Sequence, residues 1–363
     1  MSAYNVKHVR IDPYGITSAG PDTILDFNIP QGGFIDLSSL AMLFTFTINA
    51  GSKMLSKDAE SVIQTLEVFV NGQLVNKINN YQQAFRVLSD YAFDANETVF
   101  RGTYRNCMVN GNPASASWTN STFCCTKWLG WLGSGAIVDT SKNAIHIRIT
   151  VSPRFIISSA TGTDTFTMSN VRMRAIFYQK YEGELQTTFT YPEFASTMQV
   201  FGSNAYMEST LKVISDNVDY VFGFNTDSSA LSGLTSTTAD GLTRFFFRRS
   251  QSVDSWNMKV NGKLIFPGDL SAVEGQIIAR TVFPNGMQNI GNVVGTSAST
   301  IAMTTGLDQG LVPNIKFIAC SPIKFKSDTM EEVEISFYTR GSGYTNIPQY
   351  LFIKYDKTLT LRS

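Results

Sequence analysis

Leu40-Ala41-Met42-Leu43-Phe44-Thr45-Phe46-Thr47-Ile48 puts Leu40, Met42, Phe44, Phe46 and Ile48 on one parity, with Thr45, Thr47 and Asn49 on the other. Successive side chains of a strand point to opposite faces, so this period of two reads as a β-strand with one buried face. The stretch is about half the ~20 residues that a membrane-spanning helix needs, and threonines break it. Ile145, Ile147, Ile149 and Val151 repeat the pattern, with His146, Arg148 and Thr150 on the opposite face. Further strands are predicted over 24–29, 66–70, 171–178, 218–224, 243–248, 256–260, 315–319, 333–338 and 350–355. Clusters of Gly, Ser, Asn, Asp and Pro separate them, as in sandwiches and barrels.

One helix stands out. Tyr81, Ala84, Phe85, Leu88 and Ala92 share a helical face, and Asn80 is placed as its N-cap. No regular alternation of strand and helix is present, so the expected class is all-β. A chain of 363 residues has the length of about two domains at ~150 residues each. Hydrophobic content of 43% against 16% charge excludes a disordered chain. The balance of 29 basic against 29 acidic residues removes the usual electrostatic footprint of a nucleic-acid binder.

The halves share a motif. LEVFVNGQLV at 66–75 and WNMKVNGKLI at 256–265 both contain Val-Asn-Gly-(Gln/Lys)-Leu-(Val/Ile), with Asn71 and Asn261 at equivalent places. Asn-Gly is the preferred pair for a two-residue type I′ hairpin, since both positions need positive φ. The repeat spacing is about half the chain, which predicts two related β domains in tandem. The linker is expected within 181–194, around Gly183 and Pro192.

Chemistry finds little support. There is no phosphate loop, dinucleotide fingerprint or nucleophile elbow. The two histidines, His8 and His146, are far apart, and His146 lies on the polar parity of its strand. Asp139-Thr140-Ser141 lacks the glycine of an aspartic-protease loop, and Asp328, Glu331, Glu332 and Glu334 read as a solvated turn. Cys107, Cys124, Cys125 and Cys320 form no disulfide framework and have no zinc-ligand spacing, so they read as buried or idle thiols. No catalytic, cofactor-binding or metal-binding residue is assigned. The first twenty residues contain no apolar signal segment, so the sequons at Asn96 and Asn120 read as chance matches. Arg244-Phe245-Phe246-Phe247-Arg248-Arg249 reads as an aromatic strand with basic ends rather than a base-stacking platform. Trp118, Trp128 and Trp131 suit either a sugar site or subunit contact, or a loop tucked over the core.

Laid out in order, these segments resemble the double-jelly-roll major capsid proteins of icosahedral viruses. Phe34-Ile35-Asp36-Leu37-Ser38-Ser39 before the strand at 40–48 looks like an early strand of that family. The strand at 62–71, its Asn71-Gly72 turn and the Tyr-led helix at 81–88 follow the family's order. The segments 143–157 and 169–174 look like its closing strands, and 350–361 resembles the last strand pair of a second roll. The resemblance implies two tandem eight-stranded jelly-roll β-sandwiches, with a short helix in the first. It implies an arm at 1–20, a first roll at 21–185 and a second at 186–363. It further implies a non-enzymatic subunit, made in the host cytoplasm, whose homotrimers form pseudo-hexagonal capsomers in a virion shell. Its partners would be other copies of itself, penton or minor capsid proteins and an internal membrane, with no cofactor and no sequence-specific nucleic acid. Two alternatives stay open at this level: a receptor-binding or lectin-like module using Trp128 and Trp131, and a two-domain carbohydrate hydrolase.

Overall fold

A computed structural model describes residues 6–48, 59–92, 121–157, 165–202, 205–226, 244–246, 248, 253–283, 318–341 and 346–362. The sequon asparagines Asn96 and Asn120, Cys107, Trp118 and residues 315–317 of an expected strand lie outside these residues. The first half contains β1 (Val6–Ile11), β2 (Ser18–Ala19), β3 (Ile24–Asn28), β4 (Phe34–Ile48), β5 (Ile63–Val70), β6 (Gln73–Ile78), β7 (Ser121–Cys125), β8 (Ile137–Asp139), β9 (Ile145–Val151) and β10 (Phe166–Tyr178). The second contains β11 (Thr188–Phe201), β12 (Tyr206–Asn225), β13 (Ser255–Val260), β14 (Lys263–Leu264), β15 (Ala319–Arg340) and β16 (Ile347–Thr360). Helix α1 (Tyr81–Tyr91) follows β6, and α2 (Ala272–Val282) follows β14.

All pairing is antiparallel and nested. In the first half β1 pairs β10, β3 pairs β9, β4 pairs β7 and β5 pairs β6. Cross-pairing of β10 with β4, and of β9 with β5, completes the sheets β1-β10-β4-β7 and β3-β9-β5-β6. The short β2 and β8 extend the first of these. This is a jelly roll of eight principal strands. The second half repeats it with fewer breaks. Residues 206–215 of β12 pair with 331–340 of β15, then 217–223 pair with 319–326 after a register shift. The two strands thus bend together, and one continuous sheet, β11-β16-β12-β15-β13-β14, runs through the bend, the way strands turn corners in β-sandwiches. Ser215 holds the bend, its hydroxyl accepting from Asn217 N at 3.0 Å and donating to Asn217 O at 2.9 Å. Before the bend β15 pairs β13 and β13 pairs β14, and beyond it β12 pairs β16 and β16 pairs β11. The fold is a double jelly roll.

The opening stretch behaves as its alternation predicts. Leu40, Met42, Phe44 and Phe46 of β4 are fully buried, with Phe44 stacked on Phe123 and Phe46 on Phe166. Earlier in β4, however, Ile35 and Leu37 are the buried residues, so the inward parity changes between them and Leu40. A register irregularity lies there: Ala41 pairs Arg174, while Asp36 pairs Ile176. Asp36 accepts hydrogen bonds from Ser38 N and Oγ, and Ser39 Oγ accepts from Ile176 N at 2.7 Å, replacing a ladder carbonyl. The Asp-Leu-Ser-Ser motif is therefore a bulge that lets one long strand keep an apolar face inward along its whole length.

The repeat is a structural one. Asn71-Gly72 and Asn261-Gly262 both have positive φ at both positions, as a type I′ turn requires. Val70 pairs Gln73 and Ile145; at the same offset Val260 pairs Lys263 and Ile335. Leu66 pairs Ile149 as Trp256 pairs Thr339. At each turn the Asn side chain acts as a substitute backbone carbonyl. Ala144 N donates to Asn71 Oδ1 at 3.0 Å, and Glu334 N donates to Asn261 Oδ1 at 2.9 Å. Each Asn N–H returns a bond of 2.8 Å to the carbonyl of that same residue.

Four expectations need correction, and a fifth is refined. Asn80 is not a side-chain N-cap: it is left-handed at φ 50°, and its amide instead donates to Ser196 Oγ at 3.2 Å. A second helix, α2, is present at the place the repeat assigns to it. Its signal was the capping box: Ser271 Oγ accepts from Glu274 N, and Glu274 accepts from Ser271 N. Gly275 lets α2 approach the sheet closely, since a Cβ there would stand 3.1 Å from the Trp256 ring. Of the strand expected at 243–248, Arg244–Phe246 is a 3-10 turn with Phe245 and Phe246 buried. Of the expected linker, residues from Thr188 onward belong to β11. Pro192 is tolerated there because β11 is an edge strand. Residues 6–19, expected within an arm, lie along β10 as β1 and β2.

Replacing Asn261 by Ala removes the Oδ1 acceptor and forces a left-handed Cβ, a combined loss of about 2–3 kcal/mol. Asn261→Gly keeps the turn and loses only the acceptor, about 1 kcal/mol. Urea unfolding of the two variants should rank them in that order, and the same order is expected at Asn71.

Candidate assembly surfaces

Histidine chemistry is absent from the arrangement. His146 Nε2 sits 2.8 Å from Asp26 Oδ1, its ring stacks on Phe69 at 5.3 Å, and Arg148 Nε donates to the same carboxylate oxygen at 2.8 Å. The Asp26 carboxylate beside it raises the Arg148 pKa. His8 is exposed on β1. Asp139 closes its own turn by accepting from Ser141 N at 2.9 Å. Glu332 and Glu334 are bridged by Lys212 at 2.8 and 3.4 Å on an exposed face. Cys125 and Cys320 are buried, Cys124 is half-buried, and burial pushes the Cys320 thiol up. Among the described residues no group of His, Cys, Asp and Glu could hold a metal ion.

The tryptophans belong to the core. Trp128 is 5% exposed and its Nε1 donates to Leu40 O at 2.8 Å, while Trp131 is 0% exposed. Neither ring is offered to a sugar, so the lectin-like alternative loses its two binding residues. Burial on this scale is structural.

What the structure does assemble is a seam between the rolls. Strand β6 is the edge of its sheet, and an edge leaves unpaired backbone N–H and C=O groups. Side chains of the second roll pair with them. Lys77 N donates to Glu193 Oε1 at 2.8 Å; Val75 O accepts from Tyr191 OH at 2.5 Å and from Lys357 Nζ at 2.9 Å. Ser196 Oγ donates to Asn79 O at 2.9 Å, and at the far end Asn143 and Arg362 exchange hydrogen bonds of 3.1 and 2.9 Å. Apart from Met207 and Ile347, which form a small cluster of their own, nearly all the buried apolar residues described in both rolls form one contiguous cluster. Glu193 is 3% exposed, and burial pushes its carboxyl pKa up. The hydrogen bond from Lys77 N and the Lys357 ammonium, 3.5 Å away, oppose that shift only in part. Burial likewise raises the Tyr191 phenol. Glu193 and Tyr191 lay in the stretch read as linker. The alternation of Phe189 and Tyr191 with Thr188 and Thr190 was their signal, and Pro192 obscured it.

No family model and no curated protein matches the sequence. Solved structures do match along nearly its whole length. PBCV-1 VP54, fitted into a cryo-EM reconstruction of the virophage Sputnik, superposes with a TM-score of 0.62 at 10% identity, over 99% of this chain and 95% of that one. The Faustovirus major capsid protein gives 0.57 at 8%, over 100% and 91%. The mavirus major capsid protein gives 0.51 at 8%, over 97% and 86%. The chain shares their fold. At these identities the likeness is one of architecture, carried by nested strand pairing rather than by shared side chains.

Two outcomes follow from the buried groups. Trp131→Ala should cost about 3–5 kcal/mol in chemical unfolding, as for other buried aromatics, with no glycan retention lost. A carboxyl whose folded pKa is raised binds its proton more tightly folded than unfolded, so its contribution is largest at low pH and declines as pH rises through the raised value. Glu193→Gln mimics the protonated form. Its melting temperature relative to the parent should therefore be higher at pH 8 than at pH 5, read by differential scanning fluorimetry.

Proposed function

We propose that this protein is the major capsid protein of an icosahedral virus, assembling as homotrimers whose six jelly rolls make a pseudo-hexagonal building block. The observation that carries this is the double jelly roll itself. Two rolls with the same nested pairing and the same register around Asn71 and Asn261 sit in one chain, and capsid proteins superpose on it over nearly their full length. A chain made of two like rolls places six alike units in a trimer, which suits a six-coordinated lattice. The solved structures that superpose on the chain are capsid proteins, and that supports a structural role without enzymatic activity.

The proposal divides the chain into an arm at 1–20, which lends β1 to the first roll's sheet, a first roll at 21–185 and a second at 186–363. The arm rests along β10 and makes contacts between copies. Penton or minor capsid proteins and an internal membrane are the further partners of this reading. Zero net charge suits a shell that does not neutralise its genome with a basic arm. The protein would be made in the host cytoplasm and reside in the virion.

Native mass measurement of the purified protein should give a stable trimer or larger assembly, and negative-stain images should show pseudo-hexagonal particles. A chain that stays monomeric at high concentration would overturn the proposal.

A further inference from the structure

One polar cluster at the seam holds an amine, a carboxyl and a side-chain amide together. Tyr191 of β11 pairs Lys357 of β16 and Glu193 pairs Tyr355, so Glu193 and Lys357 are diagonal neighbours on one face of their sheet. That face meets β6. Lys357 Nζ lies 3.5 Å from Glu193 Oε2 and donates to the carbonyl of Val75, the residue before Asn76, at 2.9 Å. The Asn76 amide borders the same carboxyl, close enough to favour its ionised form. Asn76 is 0% exposed, and its Nδ2 is buried without a hydrogen-bond acceptor at normal distance, which costs free energy. Its Oδ1 accepts from Trp131 N at 3.4 Å. Gly130 permits that approach, because a Cβ there would collide with Oδ1. The capping of the β6 edge accounts for Glu193 Oε1 and Val75 O, but gives no use to the Asn76 nitrogen.

We propose that Lys357 and Asn76 join in an isopeptide bond between Nζ and Cγ, made by the folded chain itself with Glu193 as the proton carrier. Lys357 gives a proton to the Glu193 carboxylate and attacks Asn76 Cγ as the free amine. The Nζ–Cγ bond forms, and the charge gathering on Oδ1 meets the Trp131 N–H. Glu193 passes its proton to Nδ2 and keeps a second one from Nζ, the Cγ–Nδ2 bond breaks, and ammonia leaves. Atoms and charge balance with no co-reactant. Burial favours the neutral amine and carboxylic acid over the ion pair, and burial is the main cause of the raised Glu193 carboxyl pKa. Holding the groups in one cluster supplies the effective concentration that attack on an unactivated amide needs. The step occurs once per chain on the chain itself, so it is maturation of the structure and not turnover. Its product ties β6 of the first roll to β16 of the second and restricts the unfolded chain as a disulfide does. The bond lies within one copy, so it stands or falls independently of the trimer.

Intact-mass measurement of the purified full chain tests it. After incubation at neutral pH the expected result is the loss of one ammonia and, on proteolysis, a branched peptide joining residue 76 to residue 357. Lys357→Arg keeps the charge and removes the nucleophile, while Glu193→Gln keeps the shape and removes the proton carrier. Both should retain the ammonia, with circular dichroism and melting showing that each is folded. The parent should also run faster than Lys357→Arg in a denaturing gel, because a closed loop is more compact. Should a variant fail to fold, the branched peptide of the parent still decides the bond. Asn-Gly pairs such as Asn71-Gly72 and Asn261-Gly262 lose ammonia by another route, closing to succinimides. An ammonia loss that persists in Lys357→Arg and maps to those pairs overturns the proposal, as does a parent that keeps its full mass. A bond that forms equally in Glu193→Gln overturns the role given to Glu193.

Discussion

Strand register is the constraint on which the molecule depends. Side chains alternate with a period of two, so a slip of one residue in any strand would turn its core residues to solvent. The protein pins register twice with the same device. The side-chain carbonyl of Asn71 captures Ala144 N, and that of Asn261 captures Glu334 N. Each bond ties the turn of the innermost hairpin to the strand beside it, and the nested pairs outside that hairpin inherit its alignment. The Asp36–Ser39 bulge performs the complementary task of changing parity where β4 passes along its sheet.

The second constraint is the edge. A jelly roll built of open sheets leaves strands such as β6 with unpaired backbone groups, and these seek partners. Here the second roll supplies them from Tyr191, Glu193 and Lys357. The arrangement is selective because it is costly to form imperfectly: a carboxylate as buried as Glu193 needs both the Lys77 N–H and the Lys357 ammonium. The seam therefore joins the two rolls through a polar contact set within a continuous apolar core.

Much of this was legible beforehand. Alternation at 40–48 and 145–151 located two central strands, and the tandem Asn-Gly turns identified the repeat. Where reading failed, a tertiary contact had overridden a local signal. Asn80 looked like a cap, but its amide is engaged by Ser196 across the seam. The Phe245-Phe246 run looked like a strand and is a buried turn whose carbonyl accepts from Gln83 at 2.7 Å. Pro192 looked like a linker residue, yet an edge strand accommodates it. The helix α2 was overlooked although its capping box and its place in the repeat both marked it.

By itself the sequence determined the all-β class, the turn type at Asn71 and Asn261 and the inward faces of the strands at 40–46 and 145–151, because these depend on spacings of a few residues along the chain. Tertiary structure alone decided how the strands nest, that Trp128 and Trp131 are core rather than binding residues, and that Glu193 is buried at a seam. Those properties depend on residues from tens to more than a hundred positions apart, as when Trp128 meets Leu40 and Lys77 meets Glu193. No local period records such a meeting. Pairing between distant edges is set by which backbone groups remain unsatisfied after each roll has closed, and that is known only once the rolls exist.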